Sequence, residues 1–361
     1  MQTYRKPNGR LEGLEPYDPK YLPAECMMSA NENPSNIDED IQIQIRKRMK
    51  SLQFNRYPDP LANKLRTAIA NANGLEKENI LIGNGGDELL FNFALAWGGP
   101  GRKFLNVPPT FSVYENNALL TGTEVVNIPR KEDFSIDQEA VLERVAQGDI
   151  DYIIITSPNN PTGQLADEGF ISTLLSSTDA LVMVDEAYGE FSRTTMRPYL
   201  AMHKNLVLLR TFSKAFALAG VRLGYILAHE DVIREFIKVR QPYSVDAISQ
   251  MVGLTVFENR ARFSNDIADI IDGRDYLFGR LSEMEELTVF PSDSNFILVR
   301  VDDAHGMWEG LYKRGVLVRD FSHSAGLENC LRISVGTPEE NEKLISAIQA
   351  VLKERRFGDG F

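Results

Sequence analysis

The sequence predicts an α/β protein in two parts: a large domain whose mostly parallel central sheet is covered by helices, and a smaller α+β domain. Three observations predict it. Short apolar runs alternate with amphipathic segments from 79 to 210, the signature of repeated βα units. After Gly224 the alternation gives way to long, charge-rich helical patterns. The length of 361 residues corresponds to two or three domains at roughly 150 residues each.

Residues 79–82 (NILI) read as a buried strand, and 87–97 as the helix that follows. Residues 103–107 (KFLNV) and 124–128 are the next strands, with helices over 111–120 and 136–147. YIIIT (152–156) is a strand followed by a helix over 167–176; 181–185 and 205–210 are two further strands. Runs this continuously apolar suit a parallel sheet buried on both faces. Beyond Gly224, 231–240 and 246–280 read as helices, and 295–301, 315–319 and 331–335 as strands. A helix over 338–355 closes the chain, its PEEN start placing Pro and two acids at the N-terminus, where both are favoured. The expected division is a large domain over 45–260 and a small domain made of 1–44 together with 261–361.

Lys and Arg number 39 against 51 Asp and Glu, a net charge of −12; such an acidic chain is not a general nucleic-acid binder. Two cysteines, Cys26 and Cys330, make neither a disulfide framework nor a CxxC zinc knuckle, so a reducing compartment is expected. Four histidines without HExxH spacing predict no metal. The first twenty residues are polar and lack the apolar run of a signal peptide. The apolar stretches are strand-length, short of a membrane span. A cytoplasmic protein without membrane or nucleic-acid partners is expected.

Four stretches carry chemistry. In LLRTFSKAFALAGVRLGY (208–225), a strand end is followed by Thr211, Ser213 and Lys214, with Arg222 eight residues beyond the lysine. A surface loop would look similar, but two hydroxyls and an arginine suit a phosphate. A lysine among cations can lose its proton and form a Schiff base with a carbonyl cofactor. In DEAY (185–188), Asp185 ends a strand and faces the ligand crevice of an open α/β sheet. A carboxylate there can cap a turn, or hold the protonated ring nitrogen that pyridoxal phosphate needs as an electron sink; Tyr188 could then bind the ring hydroxyl. SPNNPTG (157–163) is a rigid turn that can present Asn160 to the same hydroxyl. GNGGDE (83–88) joins a strand to a helix N-terminus, a place for an anion; it is not GxGxxG, because Glu88 stands where glycine is required.

Together these stretches resemble fold-type I pyridoxal-phosphate enzymes of the aspartate-aminotransferase superfamily, and more narrowly the histidinol-phosphate aminotransferase family. The resemblance runs through SANENP (29–34), RYPDP (56–60), GNGGDE, PPTFSVY (108–114), SPNNPTG, VDEAY, RTFSKAFALAGVRLGY, LVRDF (317–321) and LRISVGTPEEN (331–341). It implies that Lys214 carries pyridoxal 5'-phosphate as an internal aldimine and moves the substrate proton. Asp185 then pairs with the ring nitrogen, and Asn160 and Tyr188 bind the ring hydroxyl. Thr211, Ser213, Arg222 and the backbone of Gly86 and Asp87 hold the phosphate. Phe111, where the family more often has tyrosine, stacks on the ring; Gly86 stands where a serine is usual. Arg332, with Arg319, binds the substrate carboxylate or phosphate, and Tyr17 and Asn31 lie near the substrate. Tyr57 reaches the cofactor of a neighbouring subunit, which implies a homodimer with shared active sites.

The implied reaction is ping-pong transamination between a small-molecule amino donor, L-histidinol phosphate, and a 2-oxo acid, 2-oxoglutarate, in histidine biosynthesis. Threonine-phosphate decarboxylases and aromatic amino-acid aminotransferases share the scaffold, and the bond broken at Cα depends on orientation that motifs do not show. A non-catalytic regulator on this fold would be expected to lack Lys214 or Asp185, and both are present.

Overall fold

A computed structural model describes residues 5, 6, 8–11, 14 and 22–358. Two sheets organise them. The strands in chain order are β1 (Cys26–Met28), β2 (Ile80–Asn84), β3 (Lys103–Asn106), β4 (Glu124–Asn127), β5 (Tyr152–Thr156), β6 (Leu181–Asp185), β7 (Leu206–Thr211), β8 (Leu223–Ala228), β9 (Thr288–Val289), β10 (Phe296–Arg300), β11 (Val316–Asp320) and β12 (Cys330–Ser334). The larger sheet has the order β2-β8-β7-β6-β5-β3-β4. All its pairings are parallel except those of β8, which runs against both neighbours. Strands β5 and β6 are buried at every residue, as their unbroken apolar runs require when helices cover both faces. One apolar cluster fills each face, one around Leu105, Ile153, Val184 and Leu208 and the other around Phe93, Phe104, Tyr152 and Met183.

The second sheet has the order β1-β11-β12-β10-β9. Its separate cluster includes Phe296, Val316, Ile333 and Leu344. The N-terminal strand joins it by parallel pairing with β11, while Ile37 and Ile41, a few residues on, belong to the cluster under the larger sheet.

The structure adds elements that the sequence reading leaves unassigned, among them the helices Glu39–Met49, Asn63–Asn73 and Ala304–Lys313, and two further departures bear on the larger sheet and its cover. LGYILA is a fully buried strand, β8; Gly224, which reads as a boundary, lies inside it. The helical pattern over 246–280 is broken. It forms helices Ala247–Glu258 and Ser264–Ser282 around a 3₁₀ turn, Arg260–Phe263. Asn259 donates back to the Thr255 carbonyl, and the turn drives Phe263 into the core at 2% exposure.

Register explains where a site can form. Thr156 lies opposite Asp185, and Asp185 opposite Leu209. The C-terminal ends of β5, β6 and β7 therefore stand side by side, where open α/β sheets bind ligands. Strand β2 runs the same way and delivers the helix Gly85–Trp97 to this edge.

Candidate active site

A cavity of about 300 Å³ opens at these strand ends and is closed on its other side by β11, β12 and residues 29–31. It brings together Asn31, Gly86, Asp87, Phe111, Asn160, Asp185, Tyr188, Thr211, Ser213, Lys214, Arg222, Arg319 and Arg332. Of the residues expected from sequence, Tyr57 lies elsewhere, and Tyr17 lies outside the described residues. Tyr57 is 82% exposed and stacks on Tyr243 with ring centroids 4.6 Å apart.

Asp185 is buried at the end of β6. Its Oδ2 accepts from the Tyr114 hydroxyl at 2.7 Å and its Oδ1 from the Ala187 N–H at 3.0 Å. Burial pushes its pKa up to about 6 against these two bonds, because a carboxylate loses hydration there. Lys214 follows β7 in a tight loop. Its Nζ donates to the Ala30 carbonyl at 2.7 Å and lies 6.0 Å from the Tyr188 ring. Burial, reinforced by the Arg332 charge, brings its pKa down to about 8. Tyr188 accepts from Asn31 Nδ2 at 3.0 Å. Asn31 adopts φ 54°, a left-handed backbone that asparagine tolerates, and its backbone N–H and Oδ1 both meet the Ser334 hydroxyl.

The anion end is built on the helix Gly85–Trp97, whose first N–H groups have no partner within the helix. Gly85 (φ +75°) lies over Arg222, and a Cβ there would come within 2.5 Å of the guanidinium. Arg222 donates to Asp87 Oδ2 at 2.9 Å and to Ser213 Oγ at 3.5 Å. The Thr211 hydroxyl is engaged with backbone: it donates to the Leu223 carbonyl and accepts from the Ser213 N–H at 3.0 Å. Across the cavity, Arg319 and Arg332 are direct partners on β11 and β12. The Phe321 ring lies 5.8 Å from one guanidinium and 5.6 Å from the other. Arg332 also donates to Asn160 Oδ1 at 2.5 Å and to the Ser29 carbonyl at 2.6 Å.

Tyr114 and Thr156 escaped the sequence reading. Tyr114 belongs to PPTFSVY but has the look of a core aromatic on a helix face, and Thr156 reads as the last residue of an apolar strand.

These residues suit pyridoxal 5'-phosphate. A buried carboxylate whose pKa burial has raised is stabilised by a cationic ring nitrogen. A helix N-terminus with Arg222 and Ser213 suits a phosphate dianion. A lysine held near 8 supplies a neutral amine for an aldehyde. Fold and site thus define a pyridoxal-phosphate-dependent transferase, and the family model for aminotransferases of class I and II matches residues 23–348.

The histidinol-phosphate aminotransferase 1 of Carboxydothermus hydrogenoformans is 40% identical over 94% of this chain and 96% of its own length. The crystal structure of histidinol-phosphate aminotransferase from Sinorhizobium meliloti in complex with pyridoxal-5'-phosphate superposes with a TM-score of 0.89 at 22% identity, covering 98% of this chain and 99% of that one. The L-threonine-O-3-phosphate decarboxylase of Porphyromonas gingivalis gives 0.80 at 25% identity, over 91% of this chain and 99% of that one. The chain belongs to the histidinol-phosphate aminotransferase family and is a pyridoxal-phosphate-dependent aminotransferase. No helix among the described residues is long and apolar enough to cross a membrane.

Proposed function

We propose that the chain transfers the amino group of L-histidinol phosphate to 2-oxoglutarate, giving imidazole acetol phosphate and L-glutamate. The observation that carries this reading is the arginine pair. Arg319 and Arg332 face one another across β11 and β12 and both line the cavity. Guanidinium forks suit phosphate and carboxylate alike. One pair can therefore serve a phosphorylated donor and a dicarboxylate acceptor that occupy the site in turn. Relatives of that name at 34–40% identity support the donor.

Pyridoxal phosphate, when bound, supplies the electron sink and stores the amino group between half-reactions. Asp185 pairs with the ring nitrogen, and Asn160 and Tyr188 bind the ring hydroxyl. The N–H groups of Gly86 and Asp87, with Ser213 and Arg222, hold the phosphate; Thr211 acts there through the Ser213 N–H that it accepts. Phe111, which lines the cavity, would stack on the ring. Lys214 Nζ takes the proton from the substrate Cα, and the Arg332 charge and burial keep that nitrogen free to accept it. Asn31 and Tyr17 complete the substrate side.

The protein works as a cytoplasmic homodimer in this reading. Tyr57 and Phe54, 82% and 71% exposed, suit a partner surface, and Tyr57 would complete the partner's cofactor site. The division into 45–260 and 1–44 with 261–361 is supported by two sheets with separate apolar clusters, although Ile37, Ile41 and Phe263 pack with the larger one. Stoichiometric holoenzyme given L-histidinol phosphate without an oxo acid should release one equivalent of imidazole acetol phosphate per site. Carbon dioxide from phosphothreonine, with no turnover of histidinol phosphate, would overturn the substrate assignment. For the dimer, mixing Tyr57→Phe with Lys214→Ala chains should restore activity, because in each hybrid the Lys214 site of the Tyr57→Phe chain receives the intact Tyr57 of the other chain; no gain on mixing would overturn the shared site.

A further inference from the structure

A buried chain of hydroxyls stands behind Asp185. The Tyr114 hydroxyl lies 2.7 Å from Asp185 Oδ2 and 2.7 Å from Thr156 Oγ1. Thr156 Oγ1 is 3.2 Å from Thr110 Oγ1, which donates to Asn159 Oδ1 at 2.7 Å. Asn159 is fully buried, and its Nδ2 donates to the Pro109 carbonyl and the Thr162 hydroxyl.

Counting protons fixes the direction. A phenol has one proton, and Tyr114 gives it to Asp185. The hydrogen bond with Thr156 is then one in which Thr156 donates; its single proton goes to the phenol, the nearer neighbour at 2.7 Å, and its 3.2 Å contact with Thr110 carries no proton. Thr110 directs its own proton to Asn159. The carboxylate thus receives a donor that is itself polarised by a second donor, and such chains strengthen each bond where water is excluded. Tyr114 and Thr156 are at 1% and 2% exposure, so no water can take the place of either hydroxyl without a rearrangement.

We propose that Tyr114 is a positioning residue for the reaction: its phenol, held by Thr156, fixes Asp185 in one orientation and in its ionised form, ready to pair with the cofactor's ring nitrogen. The inference rests on the role of Asp185 given above. A carboxylate has about four acceptor positions; Tyr114 and the Ala187 N–H occupy two and leave the rest to the ring. Removing the phenol proton makes the carboxylate more basic. The proton shared with the ring nitrogen then moves toward Asp185, and the ring loses electron-withdrawing power. Burial also raises the pKa of Tyr114 well above its ordinary value, so it stays a donor throughout the working pH range.

The test is Tyr114→Phe, with Asp185→Asn as its control, both loaded with cofactor labelled with nitrogen-15 in the ring. In the parent the ring nitrogen should give the protonated signal. In Y114F the signal should move toward the neutral value, cofactor should dissociate roughly tenfold more readily, and kcat should fall roughly tenfold at nearly constant KM, the scale of one charge-assisted hydrogen bond. Thr156→Val should move the nitrogen signal the same way by less, and Thr156→Ser, which keeps the hydroxyl, should leave it at the parent value. A merely structural role would lower stability without moving that signal. If D185N shifts the signal and Y114F does not, the role of Tyr114 is overturned. If D185N leaves it unchanged, the role of Asp185 itself fails.

Discussion

The two walls of the cavity are built on opposite principles. On the strand-end wall, Asp185, Tyr114, Thr156 and Asn159 are buried and already hold their partners at 2.7 Å. On the arginine wall, Arg332 rests on Asn160 and the Ser29 carbonyl, contacts that a substrate anion can replace with charge-assisted ones. The first wall meets one permanent partner and is organised beforehand. The second receives two substrates in turn and keeps exchangeable bonds. Changes to the first should therefore appear in kcat and in the cofactor's spectrum, and changes to the second in KM.

The largest effect is expected at Lys214, which stands between the walls. Lys214→Ala should retain the fold, bind cofactor non-covalently and lose at least ~10³-fold in turnover, within the range attributed to a positioned general base. Near-parental turnover in that variant would remove Lys214 from the mechanism. Next comes Arg332→Ala. Truncating one member of a buried, hydrogen-bonded charge pair costs about 2–5 kcal/mol. That should appear as a rise in KM for both substrates; Arg332→Lys should recover little, because a point charge cannot replace the fork. Arg319→Ala should fall in the same direction by less. A variant that spares one substrate entirely would show that the arginines do not share both anions.

A smaller, graded effect separates the walls by pH. Only neutral Lys214 attacks the cofactor aldehyde. With its pKa brought down to about 8 by burial and Arg332, the rate of cofactor capture by apoenzyme should rise about tenfold per unit below pH 8 and level off above it. Arg332→Ala removes a neighbouring positive charge, so the midpoint should move up. A midpoint near the ordinary lysine value in the parent would contradict the buried, cationic setting.

Much of the strand-end wall was legible because its residues fall at the ends of apolar runs, where chain direction alone places them on one edge. Asp185, Asn160 and Lys214 were found in this way. The hydroxyls behind Asp185 were not, since Tyr114 and Asp185 are separated by 71 positions and Tyr114 and Thr156 by 42, and no local pattern distinguishes a buried phenol with a partner from one that only packs. Strand β8 is hidden for a different reason: Gly224, which reads as a boundary, lies inside it. Asn31 reads as a substrate residue from its motif, and it lines the cavity, but its bonds to Tyr188 and Ser334 span 157 and 303 positions, which no local pattern shows.

Thr211 offers the finest contrast, because sequence and geometry give it different work. Beside Ser213 and Arg222 it reads as a phosphate ligand. In the structure its hydroxyl joins β8 to the lysine loop through the Leu223 carbonyl and the Ser213 N–H. Thr211→Val preserves shape and removes the hydroxyl, leaving a buried N–H without its acceptor at a cost of about 1–3 kcal/mol. Stability should fall by that amount, while cofactor affinity changes less than in Ser213→Ala. Thr211→Ser should restore stability. If instead T211V weakens cofactor binding as strongly as S213A and leaves denaturant stability untouched, the hydroxyl belongs to the phosphate site, and the permanent wall extends one residue further than its hydrogen bonds indicate.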